Sequence, residues 1–208
     1  MKVGIIGAGM IGQATATRLI AAGHEVMISN SRGPETLADL EQSLGQSAHV
    51  GTTVEAGRFG DMVLVAIPLK AIGSLPADEL AGQIVIDANN YYPGRDGQIA
   101  ELDAGEIGSS ELLARRLPGA RIVKAFNTIY FERIAHQARP PGSSERLAVP
   151  MAGDDPEAKR VVAELIDDMG FDPVDAGLLA DGRRQQPGTP VYNVPLSADG
   201  VRAALADT

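Results

Sequence analysis

Lys2-Val3-Gly4-Ile5-Ile6-Gly7-Ala8-Gly9-Met10-Ile11-Gly12 is the stretch that decides how this chain is read. A short, mostly apolar run, Lys2–Ile6, suits a central strand and leads directly into a complete GxGxxG. From Ile11 to Ala22 the apolar period lengthens. Ile11, Thr15, Leu19 and Ala22 fall near one helical face, and Gly23 can close the helix. In that order of strand, loop and helix each glycine has a reason. Gly7 permits a tight turn, Gly9 lets a pyrophosphate approach the backbone, and Gly12 lets helix and strand pack closely. With Ala8, Met10 and Ile11 they form a loop whose ligand meets free N–H groups at the positive end of the helix. A glycine-rich turn with no ligand is the competing reading, and the order of the three elements argues against it.

The end of the second strand chooses the dinucleotide. Enzymes that use NAD place an Asp or Glu there for the ribose 2′-hydroxyl. This chain has Ser29-Asn30-Ser31-Arg32, with no acid; Glu25 is at the wrong end of the strand and Glu35 inside the next helix. Ser31 and Arg32 precede a helix expected to start at Pro34, a seat for a 2′-phosphate. An ordinary polar turn with a solvated arginine would look the same in sequence. The expected cofactor is NADP(H).

Working outward, strands alternate with helices, the pattern of a parallel sheet covered on both faces. His24–Ser29, a short run near Val50, Asp61–Ile67, Gln83–Asp87, Ala120–Ala125, Arg146–Ala152 and Phe171–Val174 read as strands. Leu37, Leu40 and Leu44 form an apolar helical stripe, and Ser109-Ser110-Glu111 announces another helix. Asp154 is placed as the cap of a helix carrying Ala158, Val161, Val162, Leu165 and Ile166, which closes at Gly170. Ser197–Ala206 has the makings of a short terminal helix. The expected fold is α/β: a Rossmann-type doubly wound, mostly parallel sheet with a short C-terminal extension. Residues 1–208 read as one domain, 1–150 as the dinucleotide-binding core and 151–208 as the part completing an acceptor cleft. Asn89–Ile107 stands out as a long polar loop, of the kind that is usually functional or mobile.

Composition narrows the partners. The net charge of −9 disfavours nucleic acid and anionic lipid. No apolar run approaches the roughly 20 residues that span a bilayer, and Met1 leads straight into a strand, so neither membrane span nor signal peptide is expected. The chain has no cysteine, which fits a cytoplasmic location and removes thiolate ligands and nucleophiles. His24, His49 and His136 are dispersed, so no metal site is expected.

The glycine loop, the SNSRGP stretch from Ser29, VAIP at Val65–Pro68 and KAFNT at Lys124–Thr128 together make the chain resemble a known family. With Ala152-Gly153-Asp154-Asp155 and the segment Gly170–Gly177, the likeness runs over most of residues 1–187. The family is that of the NADP oxidoreductases that use the deazaflavin coenzyme F420, a group also similar to the reductase domains of membrane ferric reductases. The resemblance implies direct hydride transfer between the nicotinamide and a flat deazaflavin stacked against it, and a homodimer. It places Ala66, Ile67 and Pro68 on the nicotinamide side, with Ala125, Phe126 and Asn127 closing the crevice. Asn127 is read either as a partner of the carboxamide or as a loop cap.

Tyr91-Tyr92 and Tyr130-Phe131 read either as an aromatic platform for a planar acceptor or as ordinary packing. Lys124, Tyr130 and His136 lie near the crevice in sequence, yet hydride transfer between two cofactors works mainly by positioning. No catalytic acid is assigned. Two other readings stay open: the same NADPH chemistry with a flavin, ferric chelate, quinone or carbonyl acceptor, and a non-enzymatic NADP(H) sensor. An acceptor pocket beside the nicotinamide separates enzyme from sensor.

Overall fold

Lys2–Ile6 forms β1 and Met10–Ala21 forms α1, so the opening stretch folds as its pattern indicates. Residues 1–207 are described by a computed structural model; Thr208, the last residue of the expected C-terminal segment, lies outside the described residues. After β2 (Glu25–Ser29) a single 3-10 turn, Pro34–Leu37, precedes α2 (Ala38–Leu44). The helix expected from Pro34 therefore starts later, because its first turn is wound more tightly. β3 (Ala48–Val50) follows.

α3 (Thr53–Phe59) was not anticipated, since small residues, Ala56 and Gly57, make its buried face and leave no apolar stripe. Its signal was a capping box. The Thr52 hydroxyl accepts the Glu55 N–H, and the Glu55 carboxylate accepts the Thr52 N–H at 2.7 Å. The small face lets α3 press onto β1: a Cβ at Gly4 would lie 2.0 Å from the Ala56 carbonyl oxygen.

β4 (Met62–Val65), the short α4 (Ala77–Leu80) and β5 (Ile84–Asp87) come next. The expected long loop after β5 contains two single-turn helices, α5 (Pro93–Asp96) and α6 (Ala100–Asp103). The Tyr91 hydroxyl pins them, accepting the Ile99 N–H at 2.9 Å and donating to Asp103 at 2.7 Å. α7 (Ser109–Arg116), β6 (Arg121–Lys124) and α8 (Phe131–His136) lead to β7 (Ala148–Gly153). α9 (Pro156–Asp168) then connects to β8 (Asp172–Asp175), and α10 (Ala198–Ala206) ends the described fold. Asp155, not Asp154, caps α9, accepting the N–H groups of Glu157 and Ala158. Pro156 takes the first helical position and so fixes the residue before it as the cap. Asp154 instead accepts the Leu179 N–H at 2.9 Å.

The sheet runs β3-β2-β1-β4-β5-β6-β7-β8. It is parallel through β6; β7 pairs antiparallel to β6, with Lys124 opposite Ala152, and β8 runs parallel to β7. The six parallel strands have the doubly wound Rossmann order, which reverses between β1 and β4. Two-residue alternation sorts the core. Val3, Ile5, Leu64 and Ile86 join Leu19 and Val162 on one face, while Ile6, Val65 and Val85 join Leu80 and Leu113 on the other. A third cluster, with Val174, Val201 and Leu205, seats α10 on β7 and β8. Among the described residues no helix is long and apolar enough to cross a membrane.

Candidate functional site

The C-terminal ends of β1 and β4 meet at the strand-order reversal, where α/β folds open a ligand crevice. Gly7 turns the chain there with φ of +119°; a Cβ on it would lie 2.2 Å from the Ala66 carbonyl oxygen. A Cβ on Gly12 would come within 1.8 Å of the Gly7 carbonyl oxygen, so helix and turn touch backbone to backbone. Gly9 differs from both. Among the described residues nothing lies within 4 Å of a Cβ built on it, and as the N-cap of α1 it offers no side chain to the free N–H groups of the first turn. That turn also carries no acid. This bare, positive helix end has the geometry and polarity that suit a pyrophosphate, so the residues fit a dinucleotide.

A crevice of about 370 Å³ opens beside Gly9. Gly9, Met10 and Ile11 form one wall and Ala66, Ile67 and Pro68 another. Phe126 and Asn127 are also on its lining, with Asn89 and Asn90 beside them. Four aromatic residues complete the lining: Tyr92, Tyr130, Phe131 and Tyr192. Tyr130 and Phe131 have ring centroids 4.5 Å apart.

Eight of the residues expected at the cofactor therefore converge on one crevice. The others stand apart from its lining. Gly7 and Gly12 shape the loop from behind. Ala8 gives its carbonyl to the Gln13 side chain at 2.8 Å. Ala125 is fully buried beneath the crevice and does not close it, because the alternation of β6 turns it into the core. Phe126 has a left-handed φ of 63°, held by complete burial of its ring.

The Ser29–Arg32 turn adjoins the glycine loop through a 2.9 Å bond from the Gly7 N–H to the Ser29 carbonyl. Ser29 itself is buried, its hydroxyl bonded to the Ile5 carbonyl, and so serves the sheet. The Asn30 carboxamide oxygen accepts the N–H groups of Arg32 (2.8 Å) and Gly33 (3.0 Å), which shapes the turn. Ser31 and Arg32 are exposed. Glu35 folds back on the turn: a Cβ at Gly33 would lie 2.4 Å from its carboxylate.

Of the three candidate proton donors, only Tyr130 lines the crevice. Lys124 is fully buried beneath it, and His136 is exposed on α8 outside the lining. Asn127 donates to the Asn90 side chain (3.0 Å) and to the Gln185 carbonyl (2.7 Å), whereas its own buried oxygen has no partner among the described residues. Asn89, Asn90, Arg95 and Tyr192 are lining residues that the sequence reading missed. Asn89 and Asn90 were findable, since they directly follow a strand's C-terminal end. Tyr192 carried no such signal. Burial, and then its bond to Tyr92, push the Tyr192 phenol well above the ordinary value. Among the described residues no three acidic or histidine side chains gather as a metal site.

Fold and crevice together define a dinucleotide-binding α/β protein. Residues 2–91 match the model of the family described as NADP oxidoreductase, coenzyme F420-dependent. It is 36% identical over 184 residues to the metalloreductase STEAP3 of Rattus norvegicus, covering 88% of this chain. The chain spans only about a third, 35%, of that relative's length. Among solved structures it is similar to the protein SMa0349 from Sinorhizobium meliloti, with 36% identity, a TM-score of 0.79 and 95% of each chain covered. It is also similar to a candidate F420-dependent NADP-reductase from Arthrobacter sp. FB24, 26% identical with a TM-score of 0.74, covering 88% of this chain and 87% of that one.

Proposed function

We propose that this protein is an NADP(H)-dependent oxidoreductase that passes a hydride between the nicotinamide and the deazaflavin coenzyme F420. The observation that carries the reading is the bare N-terminus of α1 at Gly9 opening into the same crevice as an aromatic wall. When bound, the dinucleotide supplies or accepts the hydride. Gly9 and the first-turn N–H groups hold the pyrophosphate, and Ser31 and Arg32 hold the 2′-phosphate. Ala66, Ile67 and Pro68 flank the nicotinamide, and the unpaired Asn127 oxygen is the acceptor suited to a carboxamide N–H. Tyr92, Tyr130, Phe131 and Tyr192 offer ring faces to a planar acceptor. Tyr192 and the neighbouring Asn193 come from the C-terminal part, which supports the view that residues 151–208 complete the acceptor cleft. Positioning and exclusion of water are what these side chains contribute. An acceptor pocket beside the nicotinamide wall also favours an enzyme over a sensor.

Similarity to a metalloreductase supports a second reading, with a flavin or ferric chelate as acceptor. One anaerobic experiment separates the two. Protein is mixed with coenzyme F420 and either NADPH or NADH, and the deazaflavin absorbance is followed. Rapid bleaching with NADPH alone is the expected result. No bleaching by protein that binds NADPH rejects the deazaflavin, and turnover with FMN or a ferric chelate then establishes the second reading.

A further inference from the structure

Lys124 is among the largest fully buried side chains of the described residues, and it lies under the crevice floor. Strand register sets it opposite Asp87 on β5, whose side chain is equally buried, and the charged atoms are 3.8 Å apart. The Lys124 ammonium donates to the carbonyl of Asn89 (3.2 Å) and to the hydroxyls of Ser109 (3.2 Å) and Ser110 (3.0 Å). Asp87 accepts the Ser110 hydroxyl at 2.5 Å and the backbone N–H of Asn89 at 3.0 Å. The two charges thus grip Asn89 by both of its backbone polar groups. Asn89 in turn accepts the Ile67 N–H on its side-chain oxygen at 2.8 Å. A continuous path of hydrogen bonds runs from the buried pair to the Ala66–Pro68 wall.

Burying two charges costs several kcal/mol each, and a well-packed apolar pair often serves stability as well. An apolar pair could not hold the Asn89 N–H and carbonyl at once. We infer that Lys124 and Asp87 are positioning residues that set Asn89 and, through the Ile67 N–H, the wall against which the nicotinamide half of the dinucleotide docks. The inference rests on the proposed cofactor reading. It separates the two halves of that cofactor, because the buried path ends at Ile67 and does not reach the Asn30–Arg32 turn.

The test is calorimetric titration of two ligands, NADPH and 2′,5′-ADP, the latter lacking the nicotinamide half. The variants are Lys124→Met/Asp87→Asn, which removes the pair without leaving a buried charge, and Asn89→Ala, which cuts the path at its middle. Both should bind 2′,5′-ADP within about twofold of the parent and NADPH at least about tenfold more weakly. Lys124→Arg, which keeps the charge, should recover part of the NADPH affinity. Equal losses for both ligands mean a purely structural role and overturn the inference, as does unchanged NADPH binding. If the double variant does not fold, unchanged NADPH affinity in Asn89→Ala still overturns it. A parent protein that binds neither ligand refutes the cofactor reading itself.

Discussion

The phenol hydroxyls of Tyr92 and Tyr192 meet at the crevice, joining residues 100 positions apart in the chain. The Arg95 guanidinium stacks 4.8 Å from the Tyr92 ring centre, and Asn193, which follows Tyr192, donates its N–H to the Thr128 carbonyl at 2.8 Å. The C-terminal segment is thereby fastened to the loop after β5 and to the loop after β6. Two features of unclear role in the sequence, the double tyrosine and the last twenty or so residues, are parts of one wall.

Tyr192→Phe should lower stability by about 1 kcal/mol, the usual worth of one hydrogen bond. Tyr92→Phe should cost about the same, and the double variant little more than either, as judged by a double-mutant cycle in urea. Because the Tyr192 pKa is raised in the folded state, the contribution is fully present below the ordinary phenol value of about 10 and is lost progressively as pH rises from there through the higher folded-state value. The gap between parent and Tyr192→Phe should therefore narrow from pH 9 to pH 11. A gap that stays constant would show that the phenol proton is not what holds the pair.

Arg32→Ala should weaken NADPH binding by roughly 1.5–3 kcal/mol, the range of a charge-assisted hydrogen bond, which is roughly 10- to 150-fold in Kd. NADH binding should barely move. Arg32 is exposed and its turn is held by Asn30, so the variant should keep the parent's melting temperature. Fluorescence titration with both cofactors decides it, and equal losses would remove Arg32 from the 2′-phosphate site.

Gly9→Ala and Gly12→Ala should fail in opposite ways. A methyl at Gly12 meets the Gly7 carbonyl at 1.8 Å, so the backbone must shift, and stability should drop by about 1–3 kcal/mol. A methyl at Gly9 meets nothing and should leave stability within about 0.5 kcal/mol. That same methyl occupies the pyrophosphate cradle, so NADPH affinity should fall at least about tenfold. Thermal melts without cofactor, paired with NADPH titrations, separate the two effects.

Acid sensitivity should trace in part to Asp155. Its carboxylate accepts the Arg121 guanidinium at 2.5 Å and caps α9, and these bonds hold its pKa well below the usual carboxylate range. With a depressed folded-state pKa, the stabilisation is present above the unfolded value of about 3.9 and is lost as pH falls below it. Asp155→Asn should therefore melt lower than the parent at pH 6, with the difference shrinking toward pH 2. Parallel melting curves across that range would count against the assignment.

Much of this was legible along the chain because the relevant physics is local. The GxGxxG loop, the strands and the helix closed by Gly170 are written in residues within a few positions of one another. So was the absence of an acid after β2. α3 escaped because its buried face is made of small residues, so that only the Thr52–Glu55 capping box marked it. Pro156 moved the cap of α9 by one residue, a distinction that periodicity does not resolve.

The sequence by itself determined the doubly wound sheet and the glycine cradle, since apolar period and glycine placement act within single elements. Only the tertiary structure decided what stands around that cradle. Tyr192 reaches the crevice because α10 packs on β7 and β8, and Ala125 leaves it because β6 turns that side chain inward. Lys124 and Asp87 become partners because β5 and β6 lie side by side in register. Those contacts are made between residues distant in the chain, and they arise only when burial of the two core faces brings the strands together.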